Sequence, residues 1–192
     1  MKIESTGKLL DYKEFRKYSD TFIETGCAAG DGVQRALDAG FKDVISIEAE
    51  IKYCKQSTTR FKDQRNVAIL FGKSVDVLTE LIKGKTGCNV FYLDAHVSGD
   101  TSAGYEDWIA NGEESDYAQD KTIKAELNII LSSYKRHVII IDDVNGLADG
   151  HALEYAGLIS SFNPEYKFYF YDENLSGDPA FYYHDKLLVA IP

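Results

Sequence analysis

Short, almost wholly apolar runs alternate along this chain with longer stretches in which apolar residues recur every three or four positions. The runs TFIETG (21–26), DVISIEA (43–49), NVAILFG (66–72), NVFYLDA (89–95) and HVIIIDD (137–143) are rich in β-branched and aromatic residues and bounded by turn formers. That pattern predicts strands. Their near-continuous hydrophobicity is the mark of strands covered on both faces, as in a parallel sheet. Between them the spacing predicts helices over roughly 30–39, 50–62, 74–83 and 121–134. Strand and helix repeated this way give right-handed crossovers and an open, mostly parallel α/β sheet with helices on both faces.

The last third departs from that rhythm. HALEYAGLISSF (151–162) reads as a helix, but YKFYFYD (166–172) and KLLVAIP (186–192) follow with only a turn-rich segment between them. They predict an antiparallel hairpin on the sheet edge, bringing the strands to seven. Residues 1–20 are expected to form a helical segment, and 1–192 a single domain with none appended. Residues 97–120, VSGDTSAGYEDWIANGEESDYAQD, fit no element. A polar stretch of that length is uncommon inside a compact domain. It reads as a mobile insertion or as a lid over a ligand, and its place after a strand's carboxyl end favours the lid.

Composition removes several classes of function. No apolar run approaches the roughly 20 residues of a membrane span, and the charged N-terminus does not resemble a secretory signal. Cytoplasmic residence is the simplest expectation. Cys27, Cys54 and Cys88 form no CxxC pair, and the four histidines make no HExxH pattern, so neither a disulfide framework nor zinc is expected. A formal net charge of −10 disfavours nucleic acid as a partner. Small molecules or glycans suit the chain better. Thirteen tyrosines, several in the last two strands, point to packing or a homo-oligomer interface.

The chemistry starts at the first turn, Glu24-Thr25-Gly26-Cys27-Ala28-Ala29-Gly30-Asp31-Gly32. It lacks the lysine of a Walker loop and the spacing of a dinucleotide fingerprint. Glu24 and Asp31 would repel a diphosphate but suit a ligand carrying an ammonium or sulfonium, and the bare glycines allow close backbone approach. Glu48, ending the second strand, can accept the two hydroxyls of a ribose. Ser74 or a backbone amide in FGKS (71–74) can edge an adenine. A positively charged nucleoside without a diphosphate fits, and S-adenosylmethionine is one.

The E-x-G-x-x-x-G-x-G loop, the acid at the second strand's end, YLDAH after the fourth and the terminal reversed hairpin together resemble class I S-adenosylmethionine-dependent methyltransferases, with their Rossmann-like sheet. The resemblance covers roughly residues 20–192. It implies that Glu24, Gly26 and Gly30 lie against the methionine portion and Glu48 on the ribose. The implied cofactor-binding set is completed by Cys27, Ala28, Asp31, Ala49, Lys73, Ser74 and Asp94.

Asp94, Asp142 and Asp143 end two strands predicted to be neighbours, and converging carboxylates call for protons or a cation. Such an oxygen-rich set suits Mg²⁺ or Mn²⁺, which would lower the pKa of an acceptor hydroxyl. The arrangement resembles small-molecule O-methyltransferases acting on sugars or catechols, though AHVSG stands where sugar-directed members carry further acids. It implies Asp94 and His96 as catalytic residues. The residues leave alternatives open. The Asp142–Asp143 doublet also fits a turn before Asn145-Gly146, Asp94 also fits a cofactor amino group without metal, and His96 is either a base or structural. The overall expectation is an O-methyltransferase assisted by a divalent metal; its rivals are a metal-independent enzyme with His96 as base and a non-catalytic nucleoside-binding protein.

Overall fold

Alternation of side chains along the strands builds a core on each face of one sheet. The computed structural model describes residues 1–84, 87–95, 115–148, 150–174 and 182–192, and of 115–119 the backbone. The strands are β1 (Ile3–Leu9), β2 (Thr21–Thr25), β3 (Asp43–Glu48), β4 (Val67–Phe71), β5 (Val90–Leu93), β6 (Val138–Ile141), β7 (Lys167–Asn174) and β8 (Tyr182–Ile191). The helices are α1 (Asp31–Asp38), α2 (Ile51–Arg60), α3 (Ser74–Gly84), α4 (Ser115–Leu131) and α5 (His151–Phe162). They form an eight-stranded sheet in the order β1-β7-β8-β6-β5-β2-β3-β4, in which β8 alone runs antiparallel to its neighbours.

Ile23, Ile45, Ile47, Phe91, Leu93, Ile139 and Ile141 face α3, α4 and α5, where Leu78, Ile123, Leu127, Ile130 and Ile159 close the first core. Phe22, Val44, Val90, Tyr92, Val138 and Ile140 face the other way, onto Val33 and Ala36 of α1 and the aromatics Tyr12, Phe15, Phe41 and Phe61. Strands covered on both faces are what the apolar runs predicted.

Three expectations need correction. The segment 1–20 is not helical, apart from a four-residue 3-10 turn at Tyr12–Phe15 that sinks Tyr12 and Phe15 into the second core. Ahead of it β1 pairs in parallel with β7, Ile3 beside Phe168. Consequently the β7–β8 hairpin is not the edge, because β1 lies outside it and β8 is inserted between β6 and β7. Finally, residues 115–120, expected in the polar insertion, are the opening turns of α4. The rest of that insertion, 97–114, and its proposed lid lie outside the described residues.

Candidate active site at the sheet's carboxyl edge

The strand order reverses at β2, with β3 on one side and β5 on the other, so a crevice opens where these strands end. There the backbones come very close: the Asp94 amide donates to the Thr25 carbonyl at 3.1 Å. A Cβ at Gly26 would sit 2.4 Å from the Asp94 carbonyl oxygen, and the residue's φ is +83°. No other residue type fits without moving a strand end. Gly30 caps α1 at φ +85°, and a Cβ there would strike the Phe61 ring at 2.6 Å.

Gly32 is bare for a different reason. Its missing Cβ leaves room for Glu24, whose Oε1 would lie 1.7 Å from it. Glu24 thus runs beneath the first turn of α1, 2% exposed, and accepts a 2.6 Å hydrogen bond from Ser46 Oγ. Burial pushes its carboxyl up to about 8; Ser46 opposes the shift and the Asp94 charge adds to it. Burial thus favours the protonated form of Glu24 near neutral pH.

Glu48 ends β3 with both carboxylate oxygens engaged, one accepting the Ala28 amide and the other the Glu50 amide, each at 2.7 Å. It fastens the β2–α1 turn to the next strand. Cys27 is buried behind that turn and Ala28 is exposed on it. Asp31 turns outward to Arg60 at 2.6 Å, tying α1 to α2. Ala49 is half-buried beside Glu48, Lys73 is exposed, and Ser74 is buried at the start of α3. His96 lies outside the described residues.

The three predicted metal ligands are not gathered into one donor set. Among the described residues, the trio whose ligand atoms all lie within 4.8 Å of one another is instead Asp120, His151 and Glu154. Asp142 accepts Tyr92 Oη at 2.5 Å on one oxygen and the Asp143 amide at 2.7 Å on the other. Asp143 is paired with Lys186 Nζ at 2.9 Å, and the same ammonium reaches Glu173 at 3.3 Å. Arg35 approaches Glu173 from α1 at 3.5 Å. Asp142 and Asp143 thus already have protein partners, a hydroxyl and an amide on the first and an ammonium on the second. Burial, with Asp94 and Glu173 adding to it, raises the Asp142 carboxyl well above the usual carboxylate range. In the other trio, Lys124 Nζ bridges Asp120 and Glu154 at 2.8 and 2.6 Å, where a cation would sit.

No family model matches this chain, and no curated protein matches it by sequence. Solved structures do. An O-methyltransferase from Bacillus cereus in complex with SAH superposes with a TM-score of 0.60 at 14% identity, over 90% of this chain and 74% of that one. Cofactor-bound Rv0187 from MTB gives 0.59 at 12%, over 90% and 72%. Spermidine synthase in complex with the transition-state analogue AdoDATO gives 0.59 at 13%, over 94% of this chain but 57% of its own. The fold is that of the S-adenosylmethionine-dependent methyltransferases.

Within this methyltransferase fold, several polar residues escape a reading of motifs. Lys186 and Glu173 come from the final hairpin, more than 40 and 25 residues from Asp143 and Asp142 in sequence, and Arg35 reads as ordinary helix surface. Tyr92 looks like strand packing until its hydroxyl is seen on Asp142. Glu126, on α4, is wholly buried on the sheet's other face and accepts Thr25 Oγ1 at 3.3 Å. The one signal for it was an acid at a position where the helical period calls for an apolar residue, between Ile123 and Ile130.

Proposed function

We propose that this chain is an S-adenosylmethionine-dependent methyltransferase that moves a methyl group to a hydroxyl of a small molecule, sugar or glycan. The observation that carries the reading is the bare turn at the strand-order reversal, where Gly26 meets Asp94 and buried Glu24 waits beneath Gly32. A sulfonium nucleoside matches it: no phosphate needs an amide nest, and the ligand's positive charge offsets the cost of ionising Glu24. In this reading Glu48 accepts from the ribose hydroxyls with the lone pairs its two amide bonds leave free, and Ser74 edges the base.

In the transfer, the acceptor oxygen forms a bond to the methyl carbon as the carbon–sulfur bond breaks, leaving a thioether, and the hydroxyl proton passes to a base. The sulfonium is already reactive, so the protein's part is alignment and exclusion of water. Asp94, half-buried at the crevice, is the described carboxylate proposed to take that proton. The reading requires no metal, because Tyr92, Lys186 and the Asp143 amide satisfy the Asp142–Asp143 pair.

The test is transfer of labelled methyl from S-adenosylmethionine to a panel of sugars and catechols, with EDTA and with added Mg²⁺ or Mn²⁺. Transfer that survives EDTA and falls at least 100-fold in Asp94→Asn is expected. Transfer abolished by EDTA and restored by the ion would return the Asp94, Asp142 and Asp143 set to a metal role. Cofactor binding without transfer to any acceptor would favour a nucleoside-binding protein.

A further inference from the structure

Glu126 is the most deeply buried acid of the described chain, with 0% exposure, and it stands on α4 between Ile123 and Leu127, both core residues. Its Oε2 accepts the Thr25 hydroxyl at 3.3 Å, and Ser74 is a polar neighbour of the same carboxyl. Its Oε1 is enclosed and has no hydrogen-bond partner. A leucine or methionine would fill this place in the core without leaving an oxygen unsatisfied, so stability alone does not account for a glutamate. Costly departures of this kind gather at functional sites.

The partners say which site. Thr25 ends β2 one residue before Gly26, and its hydroxyl also lies 3.3 Å from the Asp94 amide. Ser74 begins α3, against the crevice's far side. We infer that Glu126 is a positioning residue of the cofactor crevice, tying the end of β2, the start of α3 and, through Thr25, the Asp94 backbone to the helix that follows the polar insertion. The inference rests on the cofactor reading above. Burial pushes the Glu126 carboxyl up to about 8, with Ser74 and Thr25 opposing and Asp94 reinforcing the shift. Asp94 is the charged group that acts on it from the packed elements, and because the Thr25 hydroxyl donates more strongly to the ionised carboxylate, the tie tightens as the proton leaves.

The experiment is calorimetric binding of S-adenosylhomocysteine to the wild-type chain, Glu126→Gln and Glu126→Leu at pH 7 and pH 9, with a urea melt of each. The amide variant keeps the acceptor for Thr25, so its affinity at pH 7 is expected within about threefold of wild type. Glu126→Leu is expected to lose at least tenfold while melting no earlier. Between pH 7 and 9 the wild-type Kd divided by that of Glu126→Gln is expected to fall at least threefold. A leucine variant that binds like wild type overturns the inference, as does a flat ratio, which still decides should the leucine variant not fold. A wild-type chain that fails to bind at all overturns the parent reading, and that result is distinct from either of these.

Discussion

Glu24→Gln separates the charge of the buried acid under Gly32 from its shape. In the native chain this carboxyl holds its proton up to about pH 8, whereas the ordinary value is 4.5. Between those values the folded chain carries a proton that the unfolded chain has lost. Stability from this group is therefore complete below pH 4.5 and falls as pH rises toward 8, by about 1.4 kcal/mol per pH unit. The amide cannot titrate, and its oxygen can still accept from Ser46 Oγ. Buried Glu126 and Asp142 carry slopes of the same sign, but they are common to both proteins and cancel in the difference. From pH 5.5 to 7.0 the variant is thus expected to gain about 2 kcal/mol on the wild type. Urea unfolding at each pH, with Tm as a second readout, measures it. A stability difference between the two proteins that stays constant with pH would refute the claim that Glu24 is buried and protonated.

Gly26→Ala places a Cβ against the Asp94 carbonyl in a left-handed backbone; strain and overpacking together are expected to cost about 2–5 kcal/mol in urea melts, and a loss under 0.5 kcal/mol would contradict the close approach. Lys186→Met leaves Glu173 and Asp143 facing each other with their shared ammonium gone, and about 3 kcal/mol of stability should go with it. Adding Glu173→Gln should recover part of that loss, whereas strictly additive effects would show that the pair does not interact. Tyr92→Phe removes the 2.5 Å hydrogen bond on Asp142, so the carboxyl stretch of Asp142 followed by infrared titration should move to still higher pH; an unchanged titration would contradict the bond.

The parallel core was legible because β2, β3, β5 and β6 are buried on both faces, which forces near-continuous apolar runs such as VIII (138–141). The loop glycines were legible because a positive φ or a forbidden Cβ leaves glycine in the sequence, as at Gly26 and Gly30. Strand β1 was not, since only Ile3 and Thr6 of its seven residues are even partly covered and its pairing with β7 spans more than 160 residues. An edge strand of that kind carries little period of its own. The start of α4 was hidden by the same weakness, SDYAQD offering no apolar residue but Tyr117 and Ala118. In the site, the acids Asp94, Asp142 and Asp143 were visible as strand ends, but their neutralisation was not. For Asp143 it comes from Lys186, whose place beside it depends on the hairpin's insertion next to β6. A sequence shows unbalanced charge more readily than the distant cation that balances it.

The central claim is that the crevice between β2 and β5 holds a sulfonium nucleoside. Calorimetric titration of the chain with S-adenosylmethionine tests it most directly, with NAD as the control and EDTA present throughout. The account predicts saturable one-to-one binding of S-adenosylmethionine, weakened at least tenfold in Glu48→Ala, and no heat from NAD. Binding of NAD instead, or no binding of either nucleotide, would contradict it.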